Sequence, residues 1–174
     1  MKQPLATAIG VGIFGGIATA IFVQVGTLLI WAAFIAWASY FAIGGNSSVI
    51  KLNITSNVFG VIVAWLTALL VLANPSTAIP ASMWVGLCVF ASIVVYISAS
   101  KVAIFSSIPA VTFGYATTFA FLSQTPNAFS YNKMLSANFE NVLIIVPISM
   151  VIGTFFAAGS GWLSGILAGE ESRD

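Results

Sequence analysis

The stretch Val142-Leu-Ile-Ile-Val-Pro-Ile-Ser-Met-Val-Ile-Gly-Thr-Phe-Phe-Ala-Ala-Gly-Ser-Gly-Trp-Leu-Ser-Gly-Ile-Leu167 decides the fold class. It carries no charge and outlasts the roughly 20 apolar residues that a helix needs to cross about 30 Å of hydrocarbon. It lacks the in-and-out alternation of a membrane barrel strand. The rest of the chain agrees. Of its 174 residues, 60% are apolar and 5% charged, and the mean hydropathy is +1.09. A soluble domain carries about 25% charged residues. The composition therefore predicts an all-α integral membrane protein and excludes a soluble domain, a disordered chain and a nucleic-acid binder.

Six apolar runs can be read as transmembrane helices: 5–23, 27–43, 54–73, 81–98, 102–122 and 142–167. They form a single transmembrane domain over 1–174. Turn residues separate them, as in Gly44-Gly-Asn-Ser-Ser48 and Asn74-Pro75. Ala18-Thr19-Ala20 looks like a signal-peptide cleavage site, but apolar residues continue past it, so the first run is read as an uncleaved span. With six spans, Lys2, Lys51, Lys101 and Arg173 share one side and Lys133 stands alone on the other. The positive-inside rule then puts both termini in the cytoplasm.

Residues 31–42 align with 109–120 at an offset of 78. Ala32, Ala38, Phe41 and Ala42 fall on Ala110, Ala116, Phe119 and Ala120. Further along, Asn57-Val58 falls on Asn141-Val142, and upstream Val11-Gly12-Ile13 falls on Val85-Gly86-Leu87. This predicts a 3+3 inverted-topology repeat with halves of about 5–73 and 81–167. Three spans per half force the second half to enter the membrane from the opposite side.

The candidate site residues follow from what hydrocarbon makes expensive. Asn53, Asn57, Gly60, Ala64 and Thr67 share one helix face. An amide in lipid costs several kcal/mol unless hydrogen-bonded, so this face meets another helix or a wet cavity. The repeat places Asn141 opposite Asn57. Pro109 and Pro147 are read as helix-interior prolines, freeing the carbonyls of Phe105 and Leu143; interrupted helices point to transport sites. Thr112, Tyr115, Thr117 and Thr118 give the fifth span a hydroxyl face. Asn53, Asn57, Pro109, Thr112, Asn141 and Pro147 are thus pore- or solute-lining candidates, with Glu140 a vestibule group. Gly12 and Gly16, and Gly161, Gly165 and Gly169, recur at four-residue spacing and read as helix-packing faces, within or between subunits.

Enzyme chemistry is not expected. The chain has no histidine, one internal carboxylate, a lone Cys88 and no phosphate-binding Gly-Lys-Ser/Thr pattern. No metal site or cofactor is expected either.

Two segments carry a family resemblance. One is Leu29-Ile-Trp31-Ala-Ala-Phe34 through Ala38-Ser-Tyr40-Phe41 into a Gly-rich loop. The other is Ser107-Ile-Pro109-Ala-Val-Thr-Phe113-Gly114 with Ala116-Thr-Thr-Phe119. Together they resemble the bacterial inner-membrane proteins grouped as domain of unknown function 1097, over roughly residues 12–165. The resemblance implies a bacterial inner-membrane location and no activity or site residue. The residues themselves predict a homo-oligomeric channel or facilitator for a small polar uncharged solute. A non-transporting structural or regulatory membrane subunit is the alternative, and an ion-coupled carrier using Glu140 the third. The expected partners are the lipid bilayer, further copies of the chain and a small neutral solute.

Overall fold

The computed structural model describes residues 2–75 and 79–169. Arg173, used in the charge count, and Ser76 to Ala78 of the Pro-flanked loop lie outside them. The described residues fold into helices α1 (Gln3–Val25), α2 (Ile30–Ala42), α3 (Ile50–Leu72), α4 (Ala81–Ala99), α5 (Ile108–Gln124), the short α6 (Tyr131–Met134) and α7 (Val142–Ala168). Single 3-10 turns, Ser47–Val49 and Ala103–Phe105, precede α3 and α5. Among the described residues there is no strand.

Local chemistry sets the ends. Gly26 closes α1 in the left-handed conformation (φ 70°), returning its N–H to the Phe22 carbonyl. The Ser107 hydroxyl caps α5 by accepting from the Ala110 N–H at 3.3 Å. Asn141 caps α7 by accepting from the Leu143 N–H at 2.9 Å.

Among the described residues, four helices are long and apolar enough to cross a membrane: α1, α3 with its leading turn, α4 and α7. The protein is therefore membrane-embedded. The other two predicted spans are shorter. α2 has 13 residues and α5 has 17, about 20 and 26 Å at 1.5 Å per residue. Both lose residues at the start, where Gly26 ends α1 and where residues 103–105 wind into a 3-10 turn.

Both shorter spans, α2 and α5, are inner helices. α2, α3, α5 and α7 form the centre; α1 lies outside against α7, and α4 outside against α3. α2 and α1 both pack on α7, while α5 and α4 both pack on α3. The core is made of small side chains and backbone. A Cβ on Gly60 would overlap the Val111 carbonyl, one on Gly114 the Asn57 carbonyl, and one on Gly153 the Ala33 carbonyl. Larger side chains, among them Val61, Val146, Met150 and Phe121, fill the space around these crossings. Lipid is as apolar as the helices, so the dispersion attraction between closely packed backbones is what holds such crossings together.

One expectation changes, and another is narrowed to contacts outside the single chain. Pro109 is not inside a helix: it occupies the first turn of α5, where no intrahelical N–H is needed. An apolar sequence run does not distinguish that position from a helix interior. Pro147 is inside α7, as predicted. Gly12, Gly16 and Gly165 have no atom near a would-be Cβ, and Gly161 meets only ordinary contacts, the nearest the Gly45 carbonyl at 3.6 Å. Gly169 ends α7 with φ 70°. Gly12, Gly16 and Gly165 thus face outward, and the close internal contacts are made by Gly10, Gly60, Gly114, Gly153 and Gly159.

Candidate functional site

The polar face of α3 is buried as the spacing predicts. Asn53, Asn57 and Thr67 are at most 2% exposed, and Gly60 and Ala64 are buried with them. What that face meets is a hydrogen-bonded knot at the junction of α2, α3 and α7. The Ser39 hydroxyl donates to Asn53 Oδ1 at 2.6 Å. Asn53 Nδ2 donates to the Ala36 carbonyl at 3.1 Å and to Thr154 Oγ1 at 2.9 Å. Asn57 Nδ2 donates to the Asn53 carbonyl at 2.9 Å and to Asn53 Oδ1 at 3.1 Å. Asn53 therefore has partners on all three helices. The Ser39 and Thr154 contributions lack a sequence signature, because a lone hydroxyl in an apolar helix more often bonds its own backbone.

The knot is incomplete. Among the described residues, three buried polar atoms lack a hydrogen-bond partner: Asn57 Oδ1, Ser56 Oγ and Trp37 Nε1. Two of them sit on consecutive residues of α3. A buried acceptor without a donor costs about 1–3 kcal/mol, so Asn57 Oδ1 is a costly place in the core.

The other predicted lining residues are elsewhere. Asn141 is occupied at the start of α7, accepting from Leu143 and donating to the Ser136 carbonyl at 2.8 Å. It does not meet Asn57. Thr112 is exposed; its hydroxyl bonds the Ile108 carbonyl at 2.9 Å. Thr117 and Thr118 are buried but bond their own helix, at Phe113 and Gly114. Tyr115 shares a 2.8 Å hydrogen bond with Ser92 of α4. Pro147 is half-buried in α7.

Glu140 forms an ion pair with Lys133, and both side chains are partly exposed. The neighbouring ammonium holds the Glu140 carboxyl below its ordinary range. The loop carrying the pair is well tied. Asn138 Oδ1 accepts from the Glu140 N–H at 2.9 Å and the Ser136 hydroxyl at 3.0 Å, and Trp65 Nε1 donates to the Met134 carbonyl at 2.9 Å.

An all-helical, membrane-embedded protein with a buried amide knot is the class that this geometry defines. The chain belongs to the family described as protein of unknown function (DUF1097), whose model matches residues 8–165. No curated protein and no solved structure matches the chain.

Proposed function

We propose that the chain is a six-pass protein of the bacterial inner membrane with cytoplasmic termini, built as two inverted halves, and that it passes a small neutral hydrogen-bond donor across the bilayer through the Asn53–Asn57 region. The repeat reading draws support from several equivalences. The residues preceding α2 and α5, Leu29 and Ser107, are 78 apart and share backbone angles: φ −95°, ψ 95° and φ −85°, ψ 91°. Ala33 and Val111, also 78 apart, each offer the carbonyl that a glycine of another helix abuts, Gly153 and Gly60 respectively. That sets α7 on α3 at an offset of 93, in place of the 84 that pairs Asn57 with Asn141. At 93, the buried residues Asn53, Ser56, Asn57, Gly60, Val61, Ala64 and Thr67 fall on the buried Val146, Ser149, Met150, Gly153, Thr154, Ala157 and Ser160.

One observation carries the functional reading: Asn57 Oδ1 is buried in a polar knot and has no donor. A small neutral donor such as water, ammonia or urea supplies the missing bond without the desolvation cost of a charge. The test is stopped-flow reswelling of proteoliposomes against a panel of small neutral solutes. The expected result is faster entry of one solute, lost in Asn57→Leu and kept in Asn141→Ala. Permeability equal to empty liposomes across the panel overturns the reading.

A second reading, a non-conducting subunit that assembles with its own copies, is favoured by two features. The positions equivalent to Asn53 and Asn57 in the other half are Val146 and Met150, which pack with Val61 in an apolar cluster. The faces of Gly12, Gly16 and Gly165 are open. Dissociation of the native oligomer by Gly16→Leu, with no solute flux in the parent, would select it.

A further inference from the structure

Beside the Lys133–Glu140 pair lies a half-open pocket of about 220 Å³. Lys133 and Glu140 line it together with Phe121, Pro126, Phe139 and Ile145. The described residues hold five charged side chains, Lys2, Lys51, Lys101, Lys133 and Glu140, and two of the five stand at this one pocket. We infer that it binds a small zwitterion, a molecule with an ammonium and a carboxylate or phosphate close together and an apolar remainder. The anionic group is received by Lys133, the ammonium by Glu140, and the apolar part by Phe121 and Ile145. This inference stands apart from the Asn57 reading, since none of its residues belongs to the knot.

The physical case has three parts. An anion and a cation side by side form a dipole whose complement is a zwitterion laid against it in the opposite sense; a singly charged molecule would face one like charge. Displacement is cheap, because an exposed ion pair contributes little, while the ligand forms two charge-assisted bonds in its place. The frame is rigid beforehand. The Asn138 and Asn141 side chains tie the loop to itself, and Trp65 of α3 holds the Met134 carbonyl beside Lys133. At about 30 Å³ per water, the space takes about seven waters, the scale of an amino acid or a single lipid headgroup. Phe121 and Ile145 are each 5% exposed, so the floor is dry protein interior.

Two sources offer this chemistry: a free apolar amino acid, or the headgroup of an ethanolamine phospholipid. The experiment uses the purified full-length protein in detergent. One arm measures equilibrium binding of L-leucine against isopentylamine and 4-methylvaleric acid, which each keep one of its charges. The other measures retention of phosphatidylethanolamine against phosphatidylglycerol by native mass spectrometry. In at least one arm, the zwitterion should bind at least tenfold more tightly, and Lys133→Gln and Glu140→Gln should each remove that preference. The double variant Lys133→Glu/Glu140→Lys restores an ion pair and controls for folding. It should keep leucine, which can turn round, and lose the lipid, whose phosphate is fixed next to glycerol. No preference for a zwitterion in either arm overturns the inference, as does a preference unchanged in both glutamine variants.

Discussion

Gly60 and Gly114 lie where α3 and α5 cross, and each abuts the other helix's backbone, at Val111 and Asn57 respectively. The contact is reciprocal and involves carbonyls on both sides. Neither neighbour is a flexible side chain that can swing away.

Gly60→Ala and Gly114→Ala should therefore separate α3 from α5, at a cost of about 1–3 kcal/mol or more each. Gly153→Ala should act alike at the α2–α7 crossing, where a Cβ meets the Ala33 backbone. Gly12→Ala and Gly165→Ala, which meet nothing, should leave monomer stability within about 0.5 kcal/mol. Denaturant titration followed by circular dichroism in micelles checks the contrast; equal losses at both sets would remove the crossing from its role.

Asn53 and Asn57 should differ in cost although both are fully buried. Asn53→Leu removes the acceptor of the Ser39 hydroxyl and breaks the ties to the Ala36 carbonyl and to Thr154. Interhelical hydrogen bonds in membranes average about 0.6 kcal/mol each, so a loss of about 1–3 kcal/mol is expected. Asn57→Leu removes an acceptor that is already unpaired and a donor to Asn53 Oδ1, which keeps its bond from the Ser39 hydroxyl, and should cost less. The same unfolding measurement ranks them, and a larger loss at Asn57 would contradict the described geometry.

The Lys133–Glu140 pair gives a defined pH dependence. The folded Glu140 carboxyl lies below its ordinary value of 4.5 because of Lys133. A lowered folded value means that the unfolded chain takes up the proton first. The stabilisation is then fully present above about pH 4.5 and is lost as pH falls through the folded value. Glu140→Gln should remove that acid-limb dependence without changing stability at neutral pH by more than the small amount expected of an exposed pair. Thermal unfolding of both proteins between pH 3 and 7 tests this, and identical acid limbs would refute it.

Because α1 and α2 pack on α7 while α4 and α5 pack on α3, neither half of the chain contains its own core. Chains 1–75 and 79–174, made separately, should each be degraded or remain protease-sensitive. Made together, they should copurify as a protease-resistant unit. Independent resistance of either half would contradict the exchange of helices.

Much of this is legible in the sequence. The run 142–167 becomes α7 almost residue for residue, and the buried face of α3 follows from small and polar residues spaced three or four apart. The glycine contacts are not legible. Gly12 and Gly16 show a spacing because they lie on one helix, yet they face outward. Gly60, Gly114 and Gly153 sit on three different helices, so their contacts leave no periodic trace. Asn141 departs from its expected place for a related reason. An amide just before an apolar run serves as a cap as readily as a lining, and here the unpaired Leu143 N–H claims it. The start of α5 is hidden because residues 102–108 are apolar enough to be helix, yet 103–105 wind into a 3-10 turn and α5 begins only at Ile108.

The two outer helices differ in length: α1 has 23 residues and α4 has 19. At 1.5 Å per residue that is about 35 and 29 Å, a step of about 6 Å between opposite flanks of one molecule. A bilayer of uniform thickness fits only one flank without deformation. Tilting relieves such a mismatch at a modest cost per Å. The molecule should therefore lean in the membrane, and neighbours that match the taller flank should gather on that side.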